Sequence, residues 1–181
     1  MTNEKFGQIV LALCNAIPQE HLATVKLNKL IWLIDKTSMC RRGHTITGLN
    51  YIRKDFGPVP ENNRDLLHEM KNEGLIEVAE EFIDSGELKS TTRCNYKGLI
   101  PPDFHGFTTE DISIINEIIS NYGKYSTKQL VNISHDLVWA TFNDNEQIPM
   151  EAYLIKSTIN DNSGVIKRKI QKAEDRIVYA I

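Results

Sequence analysis

The chain is short of paired cysteines: Cys14, Cys40 and Cys94 make an odd count, and no two lie close in sequence. Small secreted domains carry their cysteines as a disulfide framework, so this usage points to a reducing compartment. Long apolar runs are missing too. The stretch Leu30 to Ile34 falls far below the ~20 residues needed to cross a bilayer. The first residues are charged and lack the basic, apolar and small-residue pattern of a signal peptide. The expectation is a cytoplasmic protein with no membrane contact.

Basic excess is also lacking. The net charge is −3, whereas a dedicated nucleic-acid binder shows a basic footprint. There is no phosphate-binding Gly-x-x-x-x-Gly-Lys loop, no Gly-x-Ser-x-Gly elbow and no Gly-x-Gly-x-x-Gly turn. The five histidines form no i, i+4 pair and no Cys-x-x-Cys is present, so a zinc site has no support. His135 and Asp136 are adjacent, but neighbours on a helix do not face each other. His135 and Trp139 share a face instead, which suggests a histidine packed against a core tryptophan. No acid–base pair of carboxylates stands out. The reading is therefore a protein that is not an enzyme and that holds no metal.

What is present is an ordinary globular composition: 181 residues, 41% hydrophobic and 25% charged. That length fits one domain with a real core. Phe6, Val10, Leu13 and Ile17 recur at helical spacing and predict a first helix over residues 5–16, stopped by Pro18. A second helix is expected over 23–42. Its middle is apolar nearly all round, which places it in the centre of a domain. Gly43 follows at its end, behind Arg41 and Arg42.

Between Gly48 and Gly57-Pro58 the pattern turns extended, and a strand or hairpin arm is expected there. Gly48 and Gly57 permit backbone angles that other residues resist. Pro58 is expected to fix the turn into a third helix over 61–72. A hairpin follows from Leu75 to Tyr96 with its tip near Ser85-Gly86. Thr108 is the expected cap of a fourth helix faced by Ile112, Ile115 and Ile119, ending at Gly123. Ser126 with Gln129 three residues on forms a capping box for a fifth helix faced by Leu130, Ile133 and Leu137. A short helix is expected over 150–156.

After a loop at 160–164, a last helix carries Lys167-Arg168-Lys169 and a narrow apolar seam. The fold class is α+β, mainly α: about six helices packed around a small antiparallel sheet or hairpin. The domain division is 1–159 as the helical domain, with 160–181 a C-terminal loop and helix packed on the domain or on a partner.

Four segments together carry a resemblance. They are Lys26-Leu27-Asn28-Lys29-Leu30-Ile31-Trp32, Thr47-Gly48-Leu49-Asn50-Tyr51, Phe56-Gly57-Pro58-Val59-Pro60, and residues 122–139 from Tyr122-Gly123 to His135-Asp136-Leu137-Val138-Trp139. The chain resembles the Panacea domain, the SocA-like antitoxin family, from about Lys5 to Lys156. The resemblance implies a mainly helical domain with a small sheet, in a bacterial or phage antitoxin that neutralises a neighbouring toxin. It implies a toxin as partner, in one branch also a protease to which the toxin is delivered, and no cofactor.

Within that reading Gly48, Gly57, Pro58, Ser126, His135 and Trp139 are expected to be fold residues. The candidate partner-binding residues are Tyr51, Arg53, Lys54, Phe56 and Val59, because arginine and aromatics dominate binding hot spots. The alternative is a DNA-binding regulator in which the third helix and the hairpin form a winged-helix-like element. Arg64 and Lys71 against Glu61, Asp65, Glu69 and Glu73 make that helix a poor groove reader.

Overall fold

The computed structural model describes residues 4–83 and 91–155. Among them six α-helices and two small antiparallel sheets give the mainly helical α+β fold expected. The C-terminal loop and helix, the Lys167-Arg168-Lys169 run and the hairpin tip near Ser85-Gly86 lie outside the described residues.

Helix α1 is Glu4–Ala16 and α2 is Thr24–Arg42. The central position expected of α2 is observed: it packs against α1, α4, α5 and both sheets. It ends at Gly43 in the left-handed region, φ +78°, where only glycine sits without steric cost. Because α2 is surrounded, its polar residues are buried with the apolar ones. Lys26, Asn28, Lys29, Asp35 and Ser38 are all buried alongside Leu27, Leu30, Ile31 and Trp32.

The arm is a hairpin of β1, Tyr51–Lys54, and β2, Gly57–Pro60. A third strand, β5, Gln147–Ile148, adds to the other side of β1. The Arg53 N–H donates to the Glu146 carbonyl at 2.8 Å and the Asn145 N–H to the Arg53 carbonyl at 2.9 Å. The backbone of Arg53 thus faces β5. Pro58, opposite Arg53, and Pro60, opposite Tyr51, therefore face away from β1, at the edge of the sheet. Pro58 lies inside a strand and does not form the turn into the next helix. Asn62 makes that turn, at φ +58°, a conformation asparagine tolerates.

Helix α3 is Asn63–Asn72. The hairpin of β3, Ile76–Ile83, and β4, Thr91–Gly98, follows it. It is tied to the helical core by the Tyr96 N–H, which donates to the Leu22 carbonyl at 3.1 Å.

Helix α4 is Thr109–Tyr122, and Thr108 caps it as expected, in a reciprocal capping box with Asp111. Its buried face is Asp111, Ile114, Ile115 and Ile118. The expected face of Ile112, Ile115 and Ile119 is rotated, and Ile112 and Ile119 are only half-buried. The reason is Asp111, which is 2% exposed. It receives Arg42 at 2.5 Å and Lys5 at 3.3 Å, drawing its side of the helix inward. Burial pushes the Asp111 carboxyl up, but the Thr108 N–H and the Arg42 guanidinium outweigh it and hold the group at about 2.

Helix α5 is Thr127–Ser134, opened by the expected Ser126–Gln129 capping box. It stops at His135, and α6, Leu137–Thr141, starts afresh with Asp136 as its cap. Leu137 therefore leaves the expected apolar face and is exposed. A single 3-10 turn, Met150–Tyr153, replaces the short helix expected there.

The three cysteines are free. No described helix is long and apolar enough to cross a membrane.

Candidate functional site

The arm, α2 and the α5–α6 junction meet around one buried lysine and one buried tryptophan. Lys29 is fully buried and its Nζ donates to the Pro58 carbonyl at 2.6 Å. Burial, which penalises the ammonium, pulls its pKa down to about 7. Gly57, at φ +98°, lies against the same lysine. A Cβ there would strike Ser134 Oγ and come within 2.9 Å of Lys29 Cε. The arm's backbone thus sits flush on α2 and α5, and Gly57 allows that approach. Gly48, at φ +69°, has the left-handed conformation expected of it but open space around it.

Trp139 is fully buried. Its indole Nε1 donates to the Lys54 carbonyl at 3.1 Å. The His135 ring stacks on it at 4.0 Å between centroids, the packing expected, although the helix breaks at His135 and the two residues do not share one helix. The Arg53 guanidinium lies 4.1 Å from the same ring centroid and also pairs with Asp144. His135 Nε2 is 3.0 Å from the Asp55 carbonyl, an acceptor only, so Nε2 carries the proton and donates. The motif residues His135 and Trp139 therefore clamp the loop and strand of the arm by two side-chain-to-backbone bonds.

His135 and Asp136 have separate partners. Asp136 receives the Trp139 N–H at 3.0 Å and Lys36 Nζ at 2.6 Å. Lys36 in turn lies over the rings of Trp32 and Tyr153. Histidine and aspartate are neighbours here because each braces a different element.

Burial lowers the His135 pKa from 6.5 to about 4, and the charges of Lys29 and Arg53 add to the drop against the Asp55 carbonyl. A depressed folded-state pKa gives stability that is complete above the unfolded value and lost as the pH falls through the folded one. The window here is pH 6.5 down to about 4. Protonation of His135 is expected to remove up to about 3 kcal/mol across it. Urea unfolding at pH 7 and pH 4 should show this loss in the native chain. His135→Phe, which keeps the stacking ring but cannot titrate, should show a flatter slope. Asp111 enters only below its ordinary 3.8, so the two windows separate.

Of the five residues expected to contact a partner, Tyr51 is fully buried and Arg53 is 8% exposed. Tyr51 is a core residue whose hydroxyl donates to Asp35 at 2.7 Å. Lys54 is exposed, while Phe56 and Val59 are half-buried. Strand alternation explains the split, since side chains two apart on β1 share the inward face.

Val59 and Ile52 line a cleft of about 530 Å3 between the arm, α2, α3 and β4. Asn28 and Asn63 also line it. Both have buried amide oxygens with no hydrogen-bond partner among the described residues. On the helix–hairpin element, Lys71 pairs with Glu80 at 3.4 Å, which leaves α3 still less able to meet phosphates.

Sequence reasoning missed the buried polar residues Lys26, Lys29 and Asp35. Their signal was the all-round burial of α2, which forces polar positions inward with the rest.

Residues 27–140 match the model of the antitoxin SocA-like, Panacea domain family. No curated protein and no solved structure matches the chain. The matched span holds the whole arm, the Lys29 contact and the His135–Trp139 clamp, and it covers more than half of the 181 residues. The chain belongs to the antitoxin SocA-like, Panacea domain family.

Proposed function

We propose that this protein is an antitoxin that neutralises a toxin encoded beside it by direct protein–protein contact. Family membership across residues 27–140 carries this reading. The placement of the reactive side chains supports it: His135, Asp136 and Lys29 each bond to a structural partner within the fold. Contact through the arm falls to its accessible part, Lys54, Phe56 and Val59, the last of which lines the cleft beside α3. Tyr51 and Arg53 hold that surface in place from beneath.

The test is bacterial growth with the neighbouring reading frame expressed alone and together with this chain. Arrest by the neighbour and recovery on co-expression are expected. Recovery should weaken with Lys54→Glu combined with Phe56→Ala, two changes on the outer side of the arm. A toxic neighbour that is never relieved, despite soluble expression of this chain, would overturn the reading. The amount of toxin during recovery separates two modes. Masking leaves its level unchanged, while delivery to a protease lowers it.

A further inference from the structure

A second cleft, of about 840 Å3, opens between the end of α1, the start of α2, the end of α4 and the start of α5. Its floor and walls are partly apolar: Ile17, Pro18, Ile119 and Tyr125. Its charged lining is one-sided. Lys26, Arg93, Lys124 and Lys128 border it, with His21 beside them, against the single carboxylate of Glu20. This imbalance stands out on a chain whose net charge is −3.

Lys26 is the informative residue. It is 4% exposed, yet among the described residues its Nζ donates only to the Gly123 carbonyl, at 2.8 Å. No carboxylate is within ion-pair distance of it among the described residues, and the same holds for Arg93, Lys124 and Lys128. An ammonium has three donors, and burying one without a counter-charge is costly. Burial accordingly lowers the Lys26 pKa. An anion entering the cleft would meet this under-satisfied cation at the floor and three unpaired cations at the rim.

We infer that this cleft binds an acidic segment of the protein partner, its carboxylates meeting Lys26, Arg93, Lys124 and Lys128 and its apolar side chains resting on Ile17 and Tyr125. The assignment of that segment to the neutralised toxin rests on the antitoxin reading. The site lies apart from the arm and adds an electrostatic anchor to it. Several features favour a peptide over a nucleic acid. The apolar floor suits side chains, and four cations in a cleft fall short of the extended basic face that duplex recognition uses.

The first probe is poly-L-glutamate, titrated against the full chain by calorimetry at low and high salt, with a short DNA duplex in parallel. Poly-L-glutamate should bind, and more weakly in salt. Lys124→Glu with Lys128→Glu, both on exposed side chains, should weaken it by about tenfold or more. Lys26→Met should weaken it several-fold while the thermal unfolding midpoint holds or rises. Undiminished binding by the Lys124→Glu/Lys128→Glu variant, no binding by the native chain, or tighter binding of the duplex would each overturn the assignment.

The growth assay then tests the link to the toxin. Loss of relief in the Lys124→Glu/Lys128→Glu variant, with its unfolding midpoint retained, is the expected result. Full relief by that variant would remove the cleft from toxin binding and leave the antitoxin reading standing. Absence of relief by the native chain would remove the antitoxin reading, and the poly-L-glutamate titration would then decide the cleft on its own.

Discussion

Asp35→Ala is expected to lower the unfolding free energy by about 3–5 kcal/mol, roughly a 10 °C fall in the melting midpoint. Asp35 is fully buried on α2 and gathers the loop that leads into the arm. One carboxylate oxygen accepts the backbone N–H groups of Ile46, at 2.8 Å, and Thr47, at 3.0 Å. The other accepts the Thr47 hydroxyl and the Tyr51 hydroxyl. Burial raises the Asp35 carboxyl above its ordinary range, opposed by the bonds from Thr47, Tyr51 and Ile46. Burial and the Asp35 charge push the Tyr51 phenol well above 10, so it stays a donor.

Alanine would remove the shared acceptor and leave a cavity, with buried donors still pointing at it. Asparagine is the discriminating variant. Its amide oxygen can take the two backbone donors, while its NH2 can donate to hydroxyls that reverse their roles. Asp35→Asn should therefore cost only about 1–2 kcal/mol. Equal melting of the alanine variant and the native chain, measured by circular dichroism, would show that the loop is held by something else.

Trp139→Ala should cost a comparable ~3–5 kcal/mol, the range for removing a large buried aromatic. The loss has three parts here: the packed volume, the bond to the Lys54 carbonyl, and the ring on which His135 and Arg53 rest. It should also act locally. With the indole gone, the arm loses one of its two side-chain tethers to the α5–α6 junction. Trypsin should then cut after Arg53 or Lys54 much sooner than in the native chain. Trp139→Phe keeps the ring and loses the N–H, so its cost should fall to about 1 kcal/mol. A Trp139→Ala chain that melts lower but resists trypsin at the arm as well as the native one does would count against the clamp.

Much of the helical frame was legible in the sequence because its punctuation is local. Pro18, Gly43, Thr108 and the Ser126–Gln129 box each act within a turn of their own position. The arm was legible as extended chain for the same reason.

What escaped is what depends on distant partners. Asp35 meets residues 46–51, Lys29 meets Pro58, and β5 pairs two residues with a strand about a hundred positions earlier. The break at His135 had a faint local signal, since Asp136 is a good helix cap, but no glycine or proline announces it. The choice of contact residues was the least legible. Tyr51 and Arg53 have the composition of a binding patch, yet strand alternation turns both inward.

The two prolines of β2 have a consequence for association. At the β2 edge of the three-stranded sheet, the two positions facing away from β1 are Pro58 and Pro60, both buried, and neither has an N–H to offer. A further strand laid against β2 would find carbonyls but no donors, and the Pro58 carbonyl is already committed to Lys29. The edge is thereby closed to strand addition. Copies of this chain cannot zip together there, and a client protein with a sticky extended segment cannot template on it. Recognition on the β2 side of the arm is thereby left to side chains, which can change without disturbing the sheet that carries them.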